Sequence, residues 1–141
     1  MERVDLDLNG RLKALNVLVV DDMSDVRAIL CRVLRALGVK GRIDEAGDGM
    51  EAWEMIQNYG YDLIMCDIRM PRMDGLELKK LLRTNPRFVD LPFLMITGEI
   101  SEEKMDLALE SDRDGYLLKP FPSAVLKQCL LQLLGTSQGN T

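Results

Sequence analysis

Five short runs suited to strands punctuate the chain, and each is followed by a stretch with helical spacing. The first is Leu15 to Val20, LNVLVV, and it is almost unbroken in apolar character. Such a run suits a central parallel strand, because a strand covered on both faces has no reason to alternate with polar residues. Tyr61 to Cys66, Pro92 to Ile96 and Gly115 to Leu118 read as three more strands. Arg42 to Ala46 is polar and is expected at a sheet edge.

Between the runs, Ser24 is expected to cap a helix whose Val26, Ile29, Leu30, Val33, Leu34 and Leu37 share one face, with Gly38 ending it. Asp48 with Glu51 forms a candidate capping box for a helix over 49–59, and Asp74 with Glu77 for one over 75–83. Ser101 caps a helix over 102–111, with Ile100 and Met105 spaced as a hydrophobic staple, and a last helix runs over about 122–134. Strand–helix alternation with short links requires a parallel sheet with helices on both faces. The expectation is therefore an α/β doubly wound fold of five βα units, flavodoxin-like, with strand order 2-1-3-4-5.

The length, 141 residues, accommodates one such domain and no second of ordinary size. Residues 1–14 read as a polar leader with a turn at Asn9-Gly10, 15–134 as the domain, and 135–141 as a flexible tail. A net charge of −5 argues against a nucleic-acid partner, whose phosphates demand a basic patch, and against anionic lipid surfaces. No apolar run reaches the ~18–20 residues that span a bilayer, so no membrane partner is expected and the cytoplasm is the expected location. Cys31, Cys66 and Cys129 lie in apolar runs with no C-x-x-C spacing, and read as reduced structural thiols. There is no histidine, which removes His-based triads and the usual zinc sites.

Chemistry collects at the strand ends. Strand 1 ends at Asp21-Asp22, strand 3 at Asp67, strand 4 at Thr97 and strand 5 at Lys119. In an open α/β sheet, ligands bind at the carboxyl edge beside the switch in strand order, here between strands 1 and 3. Two carboxylates about 4 Å apart repel by roughly 4 kcal/mol at an effective dielectric near 20, so three of them call for a cation. All-oxygen donors point to Mg2+, which needs few carboxylates and keeps several waters. Asp67 is then placed as a nucleophile toward phosphorus, with Lys119 and Thr97 neutralising and binding phosphoryl oxygens.

These residues carry a family resemblance. LVVDD (18–22), DGMEAW (48–53), MCDIRMPRMDGLEL (65–78), PFLMITGE (92–99) and GYLLKPF (115–121) resemble the receiver domain of two-component response regulators, in particular the single-domain chemotaxis (CheY-like) type. The resemblance spans about residues 14–134. It implies a phosphoprotein that takes a phosphoryl group onto Asp67 from a histidine kinase or phosphotransfer protein, with chemotaxis among the pathways it admits. It implies Asp22 as a direct Mg2+ ligand, Asp21 as one acting through water, and the backbone carbonyl of Arg69 as a further ligand. Thr97 and Tyr116 resemble the switch pair and Lys119 the phosphate-sensing cation. Lys119-Pro120 resembles the family's cis peptide, and Gly98 its small residue. The implied output is a population shift read by a protein target on the face of helix 4, strand 5 and helix 5. The implied assembly is a monomer or weak dimer. The family is no turnover enzyme, although Mg-dependent self-phosphorylation and autodephosphorylation at Asp67 are implied.

Arg69, two residues beyond Asp67, and Glu99, two beyond Thr97, are expected to pair over the site and tune the phosphoryl lifetime. Trp53 reads as core or a half-buried helix face, Met65 and Met95 as core, and Met70 and Met73 as loop residues within reach of a partner. Three alternatives stay open. The chain is a receiver excised from a longer multidomain regulator; or it is a haloacid-dehalogenase-type phosphatase, which needs an acid where Arg69 stands; or it is a flavodoxin-like electron carrier, which needs a glycine- and hydroxyl-rich loop where DDMSD stands.

Overall fold

The computed structural model describes residues 10–98 and 101–135. Its strands are β1 (Val17–Val20), β2 (Ile43–Ala46), β3 (Leu63–Cys66), β4 (Phe93–Thr97) and β5 (Asp114–Leu118). The helices that follow the strands are α1 (Ser24–Ala36), α2 (Gly49–Asn58), α3 (Gly75–Arg83), α4 (Glu102–Ala108) and α5 (Ser123–Gly135). The strands form one sheet in the order β2-β1-β3-β4-β5, with every pairing parallel.

Alternate residues of the strands feed two cores. Val17 and Val19 join Leu30 and Leu34 of α1 and Leu126 and Leu130 of α5 on one face. Leu18 and Val20 join Ala52 and Ile56 of α2, Leu78 and Leu82 of α3, and Ala108 of α4 on the other. β1 and β3 are buried at all four positions, as a two-sided sheet requires. The polar β2 lies at the edge, where its side chains reach water. Trp53 is half-buried and meets Phe88 edge-on at 5.8 Å, and Met65 and Met95 are core.

Several local expectations are corrected. Met23, not Ser24, is the N-cap of α1, and its amide is held by Asp21 Oδ1 at 2.9 Å. Ile29 is 55% exposed. At 3.6 residues per turn it sits about 100° from Leu30, off the apolar stripe. Around α2, Asp48 caps as expected, but Glu51 reaches back to the Gly47 amide at 2.6 Å rather than to that of Asp48. The Asp74–Glu77 capping box is complete. α4 stops at Ala108, short of 111, because the Asp114 carboxylate takes the amides of Glu110 and Ser111 at 3.0 Å. Ser101 caps it, whereas Ile100 of the expected staple lies outside the described residues. Of the expected leader, residues 10–14 are helical and Leu12 is buried in the core, with Arg11 donating to the Leu134 carbonyl at 2.6 Å. Residues 1–9 and the tail beyond 135 lie outside the described residues.

Candidate phosphoryl and metal site

The carboxyl ends of β1, β3, β4 and β5 converge because the parallel sheet points them all the same way. One carboxylate oxygen each from Asp21, Asp22 and Asp67 lies within 4.8 Å of the others. Asp21 is buried, Asp67 half-buried and Asp22 exposed. Lys119 Nζ stands 3.4 Å from Asp21 Oδ2 and 3.7 Å from Asp67 Oδ2. One ammonium against three carboxylates leaves the cluster anionic. An all-oxygen donor set of this charge fits a hard divalent cation such as Mg2+. Arg27 braces the loop from behind, donating to the Asp21 carbonyl at 2.6 Å and to Glu45 at 3.0 Å.

Asp67 is held at both ends. Its Oδ1 accepts the Ile68 amide at 2.7 Å, and its own amide donates to the Val20 carbonyl at 3.0 Å. Burial pushes its carboxyl above the usual range. Lys119 opposes this, Asp21 adds to it, and the Ile68 and Arg69 amides pull it back without cancelling the rise. Beside it, an open cleft of about 370 Å3 is lined by Asp67, Arg69, Thr97 and Gly98. Thr97 is buried at the end of β4, and its carbonyl accepts the Lys119 amide at 2.8 Å. Gly98 lines the cleft, and a Cβ there would meet nothing within 4 Å, so packing does not demand glycine at this position.

Tyr116 is half-buried on β5 and packs against the core layer of α2, α3 and α4, in register with Met95. The Lys119-Pro120 peptide is cis. Arg69 lies at the cleft, while Glu99 is outside the described residues, so the pairing of the two has no described geometry. Met70 and Met73 lie in the loop after Asp67 and are half-buried against the core. Cys66 is a buried thiol whose pKa is driven well up by burial and by the neighbouring Asp67, Asp21 and Asp74 charges. No two of the three cysteines are bonded.

The structure adds residues that the sequence reading passed over. Gly75 is one: its amide donates to the Ile68 carbonyl at 2.8 Å, and a Cβ there would stand 2.3 Å from the Asp67 carbonyl oxygen. Asp74-Gly75 had the signature of a turn but gave no sign of this close approach. Lys79 is another. It is buried 3.2 Å from Asp114 Oδ2 and also donates to the Leu107 carbonyl at the end of α4.

Comparison with known proteins bears on the same residues. The family model of the response regulator receiver domain matches residues 17–131. The chain is 37% identical over 126 residues to a chemotaxis protein CheY homolog of Campylobacter jejuni, covering 89% of this chain and 96% of the relative. Among solved structures, chemotaxis protein CheY4 of Vibrio cholerae superposes with a TM-score of 0.70 at 32% identity, covering 89% of this chain and 98% of that one. The receiver domain of a sensor histidine kinase of Pseudomonas aeruginosa, solved with a magnesium ion coordinated in its active-site cleft, gives a TM-score of 0.76 at 26% identity over 86% and 98% of the two chains. A matched span that runs from β1 into α5, with relatives similar over nearly their whole length, settles the assignment: the chain belongs to the response regulator receiver domain family of two-component phosphorelay signalling, not to a class of turnover enzymes.

Proposed function

We propose that Asp67 is the phosphoacceptor, and that its phosphorylation switches the binding of a downstream protein. The observation that supports this most is the convergence of Asp21, Asp22 and Asp67 on one point, with Lys119 reaching both Asp21 and Asp67. An Asp67 oxygen attacks the phosphorus of a phosphohistidine on the donor. A phosphorus–oxygen bond forms as the phosphorus–nitrogen bond breaks, and the imidazole takes a proton on leaving. Lys119 compensates charge on the transferred group and the Thr97 hydroxyl donates to one of its oxygens. Mg2+, held by Asp22, Asp67, the Arg69 carbonyl and, through water, Asp21, would supply charge neutralisation between carboxylates and phosphoryl oxygens.

The output follows from the same geometry. Drawing Thr97 toward the phosphoryl group opens space near Tyr116, which lies on β5 opposite Met95, two residues before Thr97 on β4. That favours an inward Tyr116 and a rearranged face of α4, β5 and α5, where Met105, Leu107, Leu109 and Val125 are exposed apolar residues. Arg69 and Glu99 then tune the acyl-phosphate lifetime by limiting water attack, and the same site carries self-phosphorylation and autodephosphorylation. The donor is a histidine kinase or phosphotransfer protein, and the protein acts in the cytoplasm as a monomer or weak dimer. Among the described residues, no helix is long and apolar enough to cross a membrane.

The test is transfer from a labelled phosphohistidine donor. Label is expected on the unaltered chain with Mg2+, and neither on Asp67→Asn nor with EDTA. A chase of the labelled protein should decay faster in Arg69→Ala. Labelling of Asp67→Asn at the wild-type rate would refute the assignment.

A further inference from the structure

The loop that follows Asp67 contains an unusual residue. Arg72 has φ +68°, the one non-glycine with positive φ among the described residues. An arginine gains nothing intrinsic from that conformation, which glycine and asparagine adopt more readily, so something must hold it there. Asp48, at the start of α2, is its partner. Its Oδ2 accepts Arg72 Nε at 2.9 Å and Nη2 at 2.7 Å, a two-pronged pair. Its Oδ1 meanwhile caps α2 through the Glu51 amide at 2.8 Å. Next to this pair, the Gly49 amide donates to the Met73 carbonyl at 3.1 Å, and a Cβ at Gly49 would lie 2.5 Å from that oxygen. The loop over 69–74 is thus clipped to the N-terminus of α2 by a side-chain pair and a backbone bond. At its two ends the loop is fixed to Asp67 itself, by the Ile68 and Arg69 amides on the carboxylate and by Gly75 against the carbonyl.

We infer that Asp48 and Arg72 form a clamp that positions the loop after Asp67, and through it the Arg69 backbone, for binding of the divalent cation. This rests on the metal reading given under Proposed function. Neither side chain belongs to the carboxylate cluster of Asp21, Asp22 and Asp67, so both are positioning residues. Asp48 is suited to the task, because a residue that already caps a helix offers a fixed anchor. The Arg72 side chain is 63% exposed, so the clamp is open to screening by salt.

The experiment is calorimetric titration of Mg2+ into the unaltered chain, Arg72→Ala, Arg72→Lys and Asp48→Asn, with thermal midpoints and amide exchange over 69–73 on the metal-free proteins. Asn retains the capping oxygen and removes the charge. Arg72→Ala is expected to weaken Mg2+ about tenfold, in the range seen when residues supporting a ligand are lost. Arg72→Lys should recover part of the loss, Asp48→Asn should fall between, and the gap should shrink in molar salt. Loop amides should exchange faster in Arg72→Ala while the thermal midpoint stays close to wild type. Mg2+ affinity unchanged in Arg72→Ala, with wild-type loop exchange, would overturn the clamp while leaving the metal site standing. Absence of saturable Mg2+ binding to the unaltered chain would overturn the metal reading and the clamp together.

Discussion

Asp67 is a carboxyl placed where ionisation is costly. Burial raises its pKa above the unfolded value, and the opposing Lys119 charge does not fully restore it. Below the unfolded pKa of about 4 the group is protonated in both states and contributes nothing. As pH rises from there through the folded pKa, the unfolded chain releases its proton first, and stability falls. Asp67→Asn, without a charge to bury, should therefore match the wild type at low pH and melt above it at neutral pH in metal-free buffer. Adding Mg2+ should narrow the gap by stabilising the wild type alone. Melting curves across pH, with and without Mg2+, check this; equal melting temperatures at neutral pH without metal would contradict it. Asp67 itself was legible from its place at the end of a strand. Its pKa was not, because burial by the surrounding loops has no local sequence signal.

Between elements, the least legible feature is the ionic knot joining α3 to α4 and β5. The Asp114 carboxylate is fully buried between Lys79 at 3.2 Å and Arg83 at 2.6 Å. It also takes the amides of Glu110 and Ser111. Lys79 and Arg83 lie 35 and 31 positions from Asp114 in sequence, and no periodicity argument links them. Lys79 even falls on the apolar face of an amphipathic helix, where a core residue would be expected. The knot explains why α4 is short and fixes the end of that helix to α3. Asp114→Ala leaves two cations without their shared partner, and should cost about 3–5 kcal/mol of stability. Lys79→Met should cost less, because Asp114 keeps Arg83 and both amides while the flexible methionine fills the space. Urea unfolding of both variants measures the order; a larger loss in Lys79→Met would contradict it. Strand and helix identities were legible because the apolar runs and caps are local. Their ends shifted where a side chain just outside the element captures a backbone amide, as Asp114 does beyond α4 and as the Asp21 carboxylate does ahead of α1.

For the whole molecule, the strand order follows from short right-handed connections and two-sided burial, and it alone brings four distant strand ends together. That is why the acidic cluster and Lys119 could be read from sequence, while the clamp at Arg72 could not: a positive φ is a property of the folded loop, and arginine does not advertise it. Under the proposed function, this convergence makes Asp67 the acceptor of a phosphoryl group. That role is tested most directly by intact-protein and peptide mass spectrometry after incubation with phosphoramidate and Mg2+. One added phosphoryl group is expected on the peptide carrying Asp67, lost on adding EDTA beforehand and absent from Asp67→Asn. A phosphoryl group on another residue, or none on a folded, Mg2+-bound protein, would contradict it.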